Sequence, residues 1–159
     1  FVVPEPYIAP VGAKIMSLQD PTAKMSKSDS DPNATVFLSD SDDEIRKKFK
    51  RAITDSGSEI KIADDKPGVS NLIMIQAAIT SKKVDEIVAG YDGKQYGHLK
   101  LQTAEIVIQC LAPLREKYLS LLKDKSYLKK ILTDGAEKAN ARAEETLTKV
   151  KNAFGFLSR

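Results

Sequence analysis

The sequence predicts a mainly α chain, in which a C-terminal helical bundle is attached to the end of an incomplete α/β piece. Two observations predict this. Five of the seven prolines fall within residues 1–40, where apolar stretches are short, so this part is mostly loop and short strand. From Ser41 onward, apolar residues recur every three or four positions, which is the spacing of amphipathic helices. The predicted domains are therefore 1–40 and 41–159.

Two short strands are predicted within the first domain, over residues 11–18 and 35–38. A polar run from Gln19 to Asn33 separates them. Long polar loops in compact proteins are often functional, so this run is the first place to look for a site.

Three shorter helices are predicted next, over residues 41–53, 71–80 and 82–89. The first begins with Ser41 and Glu44 at the spacing of a capping box. Ser70 and Ser81 are the predicted N-caps of the second and third helices, and Gly90 is expected to end the third.

Two long helices are predicted over residues 96–122 and 126–154, with Ser126 as the N-cap of the second. Each has one apolar stripe that we expect to be buried. In the first helix the stripe is Ala104, Val107, Ile108, Leu111, Leu114, Tyr118, Leu121 and Leu122. In the second it is Leu128, Leu132, Ala136, Ala139, Ala143, Leu147, Val150 and Phe154. Pro113 is expected to kink the first helix, and Cys110 is expected to lie in the core.

Composition excludes several classes of protein. No apolar run approaches the roughly 20 residues that a membrane-spanning helix needs, so a membrane role is not expected. With one cysteine no internal disulfide is possible, which favours an intracellular, cytoplasmic protein. The 25 Lys and Arg against 22 Asp and Glu give a net charge of +3, too small for a long-range attraction to nucleic acid. Any RNA binding must therefore use a local basic patch.

The string Lys24-Met25-Ser26-Lys27-Ser28 is the sharpest feature of the polar run. Two lysines three positions apart, with hydroxyl residues beside them, present two cations and several backbone donors to a polyphosphate. A solvated loop rich in Lys and Ser would have the same composition. The chemistry of these residues alone leaves both interpretations open. A specified five-residue string rarely occurs by chance, so a match to a known motif favours the phosphate-binding interpretation.

This string resembles the signature loop of the class I aminoacyl-tRNA synthetases. The similarity extends along the chain to the bacterial tryptophanyl-tRNA synthetases, in residues 14–29, 52–56, 66–72, 93–97, 111–114 and 135–140. Tyrosyl-tRNA synthetases are the nearest relatives of that family, but their bacterial members usually carry a different string at the loop. The resemblance therefore favours tryptophan.

The resemblance implies that residues 1–40 end a catalytic nucleotide-binding domain of the Rossmann-like kind and that 41–159 recognise the tRNA anticodon. It implies activation of L-tryptophan with ATP to tryptophanyl-adenylate and transfer to tRNA(Trp). Lys24, Met25, Ser26, Lys27 and Ser28 would bind ATP, with Lys24 and Lys27 catalytic and Met25 an apolar anchor. Mg²⁺ would enter with ATP, no protein-bound metal is expected, and the full-length protein would be a homodimer.

One part of the family pattern is absent. The first class I signature, a motif of His and Gly, is not found, and the only histidine, His98, is expected on a helix surface. The N-terminus looks cut from a longer chain, so we expect this chain alone to be inactive. An alternative is a stand-alone helical RNA-binding module descended from a synthetase.

Candidates for tRNA contact are Lys138 and Arg142 in the last helix. The basic residues of this helix are interleaved with Glu137, Glu144 and Glu145, so a solvated charged face is an equally good interpretation.

Overall fold

The computed structural model describes residues 2–8 and 12–156, and helices make up most of that part of the chain. They are α1 (Asp42–Arg51), α2 (Pro67–Thr80), α3 (Val84–Ala89), α4 (Tyr96–Lys123) and α5 (Lys125–Ala153). Among the described residues, β pairing is limited to one antiparallel bridge between Met16 and Lys24. The prediction of a mainly α chain is confirmed.

The two predicted strands do not form in the part of them that the structure describes; Val11 lies outside it. The side chain of Asn71 binds both the amide and the carbonyl of Met16, each at 2.9 Å. The amide of Phe37 donates to the carboxylate of Asp40 at 2.8 Å. Because side chains occupy these backbone groups, a neighbouring strand cannot use them for a ladder.

The chain divides into two compact units, unit 1 (Phe1–Arg115) and unit 2 (Glu116–Arg159), and the division falls inside α4. Contacts do not divide at residues 40 and 41, because Leu18 is buried in the same core as α1, α2 and the start of α4. The functional assignment of 1–40 and 41–159 stays a prediction.

Unit 1 contains the hydrophobic core. Its most deeply buried large side chains come from α1, α2, α4 and the loop before α1, and they are Leu18, Ile45, Phe49, Val69, Leu72, Ile73 and Leu99. Such burial supplies the main favourable free energy of folding, so this core fixes the segments that carry the polar loop.

The capping box predicted for α1 is confirmed. The Ser41 side chain accepts from the amide of Glu44, and the Glu44 carboxylate accepts from the amide of Ser41 at 2.7 Å. The helix ends at Arg51, two residues before the predicted end at Ile53.

The predicted N-caps of α2 and α3 are wrong. Helix α2 begins at Pro67, because proline at the first helical position needs no amide partner, while Ser70 lies inside the helix. A Cβ at Gly68 would lie 2.1 Å from the carbonyl oxygen of Ile53, so the helix start packs this closely only with glycine there. Ser81 ends α2 in the left-handed conformation, at φ 58°, instead of starting α3.

Helix α4 is buried only along its first half. Ala104, Val107 and Ile108 are buried as predicted, whereas Leu114 is 57% exposed and lies beyond the core. Cys110 is exposed, so its predicted place in the core is wrong. Cys110 comes shortly after the buried residues Val107 and Ile108 in the sequence, and the turn of the helix places it on a different face.

Helix α5 is present as predicted but contains no buried residue. Its N-cap is Asp124 and not Ser126, because the Asp124 carboxylate accepts from the Tyr127 amide at 2.9 Å. The predicted burial of its apolar stripe is wrong: Leu132 is 73% exposed. Within the described residues, unit 2 consists of this helix and the end of α4, and it contains no buried residue. No helix in the described ranges has the length and apolar character needed to cross a membrane.

Candidate functional site

The polar loop containing Lys24 to Ser28, here called the signature loop, begins at a tight reversal of the chain. The amide of Ser17 donates to the carbonyl of Ala23 at 2.9 Å, and the amide of Met25 donates to the carbonyl of Ile15 at 3.0 Å. This pairing holds the first residues of the signature loop against the segment before it. The loop therefore starts from a fixed backbone position.

Asn71 of α2 fixes the other side of this reversal. It is buried, and its amide group bonds to both backbone groups of Met16 as a neighbouring strand would. A buried amide left without these partners would cost about 1–3 kcal/mol, so the contact is strongly determined. Sequence reasoning missed Asn71 because its partners lie 55 residues away.

Met25 connects the signature loop to the core. It is partly buried and packs against the hydrophobic core of unit 1. With Ile15, Val36 and Phe49 it lines a small apolar cavity of about 220 Å³. The apolar packing predicted for this residue is therefore present.

The two lysines of the signature loop face solvent. Lys24 and Lys27 are exposed, and within the described residues neither forms an ion pair. Between them the Ser26 hydroxyl lies 3.1 Å from that of Ser28 and accepts from the Ser28 amide at 3.3 Å. Two uncompensated cations and a hydroxyl pair are thus displayed together, an arrangement suited to an anion with several oxygens.

The far side of the signature loop is held by a buried polar chain. Thr35 donates its hydroxyl to the carbonyl of Ser26 at 2.6 Å, and the ammonium of Lys48 donates to the carbonyl of Thr35 at 2.9 Å. Lys48 also pairs with Asp40 at 2.6 Å and lies 4.7 Å from the ring centre of Phe37. Thr35, Asp40 and Lys48 are all buried, so the loop is anchored through the interior of unit 1.

Sequence reasoning missed this series of buried polar contacts because Lys48 has the appearance of one of several charged surface residues of α1. The signal that could have found it is its position: Lys48 follows Ile45 by three residues and precedes Phe49, on the apolar face of the helix. A lysine on such a face needs a buried partner.

A second polar cluster connects the starts of α2 and α4. The Lys66 ammonium donates to Asp55 at 2.9 Å and to the Tyr96 hydroxyl at 2.8 Å, and that hydroxyl also bonds to Asp55. Burial raises the pKa of Asp55, but hydrogen bonds from Lys66, the Gly57 amide and Tyr96 outweigh it and lower the pKa to about 2. Hydrogen bonds to Tyr96 and Asp55 raise the pKa of Lys66. The cluster is a closed, self-satisfied ion pair and presents no free group.

The remaining predicted residues lie apart from this geometry. His98 is exposed near the start of α4, as expected of a helix-surface histidine. Lys138 and Arg142 are exposed on α5, in unit 2, and their proposed contact with tRNA stays a prediction. No three His, Cys, Asp or Glu side chains in the described ranges come together as a metal site would require.

Comparison with known proteins gives a consistent result. The family model described as tRNA synthetases class I (W and Y) matches residues 1–112. A tryptophan–tRNA ligase of Clostridium perfringens is 47% identical over 159 residues, which is all of this chain and 48% of that protein.

Two solved structures are also similar. Tryptophanyl-tRNA synthetase from Mycoplasma pneumoniae superposes with a TM-score of 0.77 and 30% identity, over 92% of this chain and 46% of its own. That from Campylobacter jejuni, complexed with ADP and tryptophan, superposes with a TM-score of 0.66 and 29% identity, over 90% of this chain and 44% of its own.

This chain thus spans about half the length of the relatives it matches. The matched family region contains the signature loop, its anchors and the whole core of unit 1. The chain belongs to the tryptophanyl and tyrosyl branch of the class I tRNA synthetases.

Proposed function

We propose that this chain forms the C-terminal half of a tryptophan–tRNA ligase, which activates L-tryptophan with ATP and transfers it to tRNA(Trp). The observation that carries the proposal is the signature loop, which is anchored on both sides and presents Lys24 and Lys27 without counter-ions in the described residues. A loop held this way can keep uncompensated cations at a fixed place, which a polyanionic substrate then neutralises.

The proposed chemistry is charge stabilisation during adenylate formation. The tryptophan carboxylate attacks the α-phosphorus of ATP, and negative charge moves to the departing pyrophosphate. Lys27 meets that charge, Lys24 contacts the polyphosphate, and the Ser26 and Ser28 hydroxyls donate to phosphate oxygens. Met25 keeps the loop docked on the core through its apolar contacts. Mg²⁺ enters as part of the ATP substrate.

Residues 1–40 then complete the nucleotide-binding domain of the full-length protein, and residues 41–159 contribute to anticodon recognition. Lys138 and Arg142 remain candidates for the RNA contact, and the full-length protein is a homodimer in this proposal. The tryptophan pocket lies mainly outside this chain in this proposal, so the 159 residues alone are expected to be inactive.

The test is Lys27→Ala in the full-length protein. Loss of one well-placed charge contact in the transition state costs about 3–4 kcal/mol, so tryptophan-dependent exchange of pyrophosphate into ATP should fall roughly a hundred- to a thousandfold. The Kd for tryptophan should stay unchanged, because the proposed pocket lies elsewhere. Lys27→Arg should recover only part of the activity, since it keeps the charge and changes its geometry.

Lys82→Ala is the matched control, because Lys82 is an equally exposed lysine outside the signature loop. It should leave exchange unchanged. An unchanged adenylation rate in Lys27→Ala, with weaker tryptophan binding instead, would contradict the proposed role of the loop. Exchange that depends on tyrosine and not on tryptophan would assign the other amino acid of the family.

A further inference from the structure

A basic groove lies on unit 1 between α1 and α4. Its volume is about 480 Å³, and its lining consists of Arg46, Lys47, Lys50, Gly97, Lys100 and Leu101. Four of these six residues are basic and none is acidic. A concave surface lined by one sign of charge concentrates its field and attracts ions of the opposite sign.

Three of the four cations are available to a ligand. Arg46 is already engaged, since its guanidinium donates to Glu105 at 2.6 Å and pairs with Asp43 at 3.2 Å. Lys47, Lys50 and Lys100 form no ion pair within the ranges that the structure describes. The groove therefore has an excess positive charge carried by three lysines.

Lys100 differs from the other two lysines in its burial. It is half-buried, and burial lowers the pKa of its ammonium because no partner compensates for the lost water. A cation partly withdrawn from water interacts more strongly with an incoming anion than a fully solvated one does. The site thus favours an anion that enters the groove over one that stays at the rim.

The floor of the groove is apolar and open. Leu101 is 57% exposed, and apart from the adjoining residues and backbone of its own helix no atom lies within 4 Å of the position that a Cβ would take at Gly97. The aliphatic stems of the lysines extend this apolar surface. None of these lining residues is aromatic, so a base would rest on the apolar surface by van der Waals contact while its phosphates reach the ammonium groups. A positively charged groove that follows the backbone is common in proteins that bind single strands.

We propose that this groove binds the phosphodiester backbone of an unpaired RNA loop, with Lys47, Lys50 and Lys100 at phosphates and a base over Leu101. The concave shape favours a nucleotide strand over a membrane, whose surface would need a flat basic face. The proposal rests on the proposed function in taking tRNA as the partner. It assigns the contact to unit 1, separately from Lys138 and Arg142.

The test measures binding of this chain to a fluorescein-labelled tRNA(Trp) transcript by anisotropy between low and physiological salt. The variant carries Lys47→Gln, Lys50→Gln and Lys100→Gln. Affinity at low salt should fall by at least about tenfold, and the slope of log K against log salt should decrease by about 2, because each phosphate contact to a single strand contributes about 0.7. Far-ultraviolet circular dichroism checks that the variant stays folded.

The matched control removes the same charge elsewhere on unit 1, with Lys14→Gln, Lys82→Gln and Lys83→Gln, and should lose little affinity. Equal losses in the two triple variants would overturn the groove as the site, as would unaltered binding in the groove variant or no binding by the wild-type chain. A loss confined to Lys138→Gln with Arg142→Gln would move the contact to α5 and also overturn it.

Different experimental outcomes distinguish failure of the groove proposal from failure of the proposed ligase function. Pyrophosphate exchange involves no RNA, so the full-length groove variant should keep wild-type exchange while its aminoacylation shows a higher KM for tRNA. A groove variant that loses exchange to the same extent would mean a general structural defect and would overturn the assignment. Absence of exchange in the wild-type full-length protein would instead contradict the proposed ligase activity.

Discussion

The helices of unit 1 and unit 2 carry apolar residues at the same spacing, yet only the helices of unit 1 bury these residues. In unit 1, Ile45 and Phe49 of α1 and Leu72 of α2 are almost completely buried. In unit 2, α5 carries an equally regular stripe and has no buried residue. Periodicity therefore predicts that a helix has an apolar face, while burial depends on which elements pack against that face.

The polar groups differ in the same way. Lys48 and Lys66 in unit 1 are buried and paired with carboxylates. The lysines of α5 are exposed except for the half-buried Lys151, and none of those described forms an ion pair. The signature loop is thus held by the unit that has a hydrophobic core and buried, paired polar groups, which suits the phosphate-binding role proposed for it.

The largest expected difference is between Phe49→Ala and Leu132→Ala. Phe49 is 1% exposed, and truncating a buried phenylalanine costs about 3–5 kcal/mol of the free energy of unfolding. Leu132 is 73% exposed, so its truncation should change stability by less than about 0.5 kcal/mol. Urea titrations followed by circular dichroism measure both. A loss from Leu132→Ala as large as that from Phe49→Ala would mean that the α5 stripe is covered in solution.

Lys48→Met tests the buried polar chain against the exposed charges of unit 2. Removing one partner of a buried ion pair costs about 3–5 kcal/mol, because Asp40 is left with an uncompensated charge. Methionine keeps most of the length and the apolar stem of the side chain but removes the ammonium. Lys129→Met on α5 is the control, with an expected change below about 0.5 kcal/mol. Equal small effects would show that the Asp40 pair contributes nothing measurable.

Native-state hydrogen exchange should resolve the two units directly. Amides in the middle of α2 are expected to exchange only when unit 1 unfolds, while those in the middle of α5 open locally at lower free energy, because no core covers them. The expected difference is roughly tenfold or more in protection factor. Mass spectrometry of peptides covering 69–79 and 136–148 measures it. Similar protection in both peptides would contradict the comparison.

Much of the fold could be predicted from the sequence. The capping box of α1, the existence of all five helices and the length of α4 follow from local signals that a single segment contains. The signature loop was predicted in the same way, since its five residues are contiguous. Its lysines are exposed, and their contact with ATP stays a prediction.

The features that were predicted wrongly or were not predicted depend on contacts with distant parts of the chain. Ser81 has the composition of an N-cap, but the packing of α2 makes it the left-handed end of that helix. Asn71 and Lys48 anchor the signature loop only because folding brings Met16 and Thr35 to them. No local sequence pattern shows which distant residues will come into contact. For the same reason, the sequence pattern could not show whether the apolar stripe of α5 is buried.

The smallest expected effect concerns acid stability, and it compares Asp55 in unit 1 with Asp124 in unit 2. Hydrogen bonds from Lys66, the Gly57 amide and Tyr96 outweigh the effect of burial and set the pKa of Asp55 at about 2, below the ordinary value of 3.8. A carboxylate with a lowered folded-state pKa stabilises the protein above its unfolded pKa, and that contribution is lost as pH falls through the folded pKa. The relevant window therefore runs from about pH 4 to about pH 2.

Asp55→Asn removes this titration while keeping the shape of the side chain. The variant should be less stable than the wild type at pH 7. The gap should close as pH falls across the window, because the unfolded wild type then binds a proton at Asp55 that the folded protein binds only at lower pH. Asp124→Asn is the control: hydrogen bonds from the Tyr127 amide and Ser126 lower the pKa of Asp124, but this N-cap is exposed. Its gap at pH 7 should be smaller than that of Asp55→Asn, since an exposed carboxylate stays well solvated in the folded state. Urea titrations from pH 7 to pH 2 measure both gaps, and a gap for Asp55→Asn that stays constant with pH would show that Lys66 and Tyr96 do not hold its carboxylate ionised.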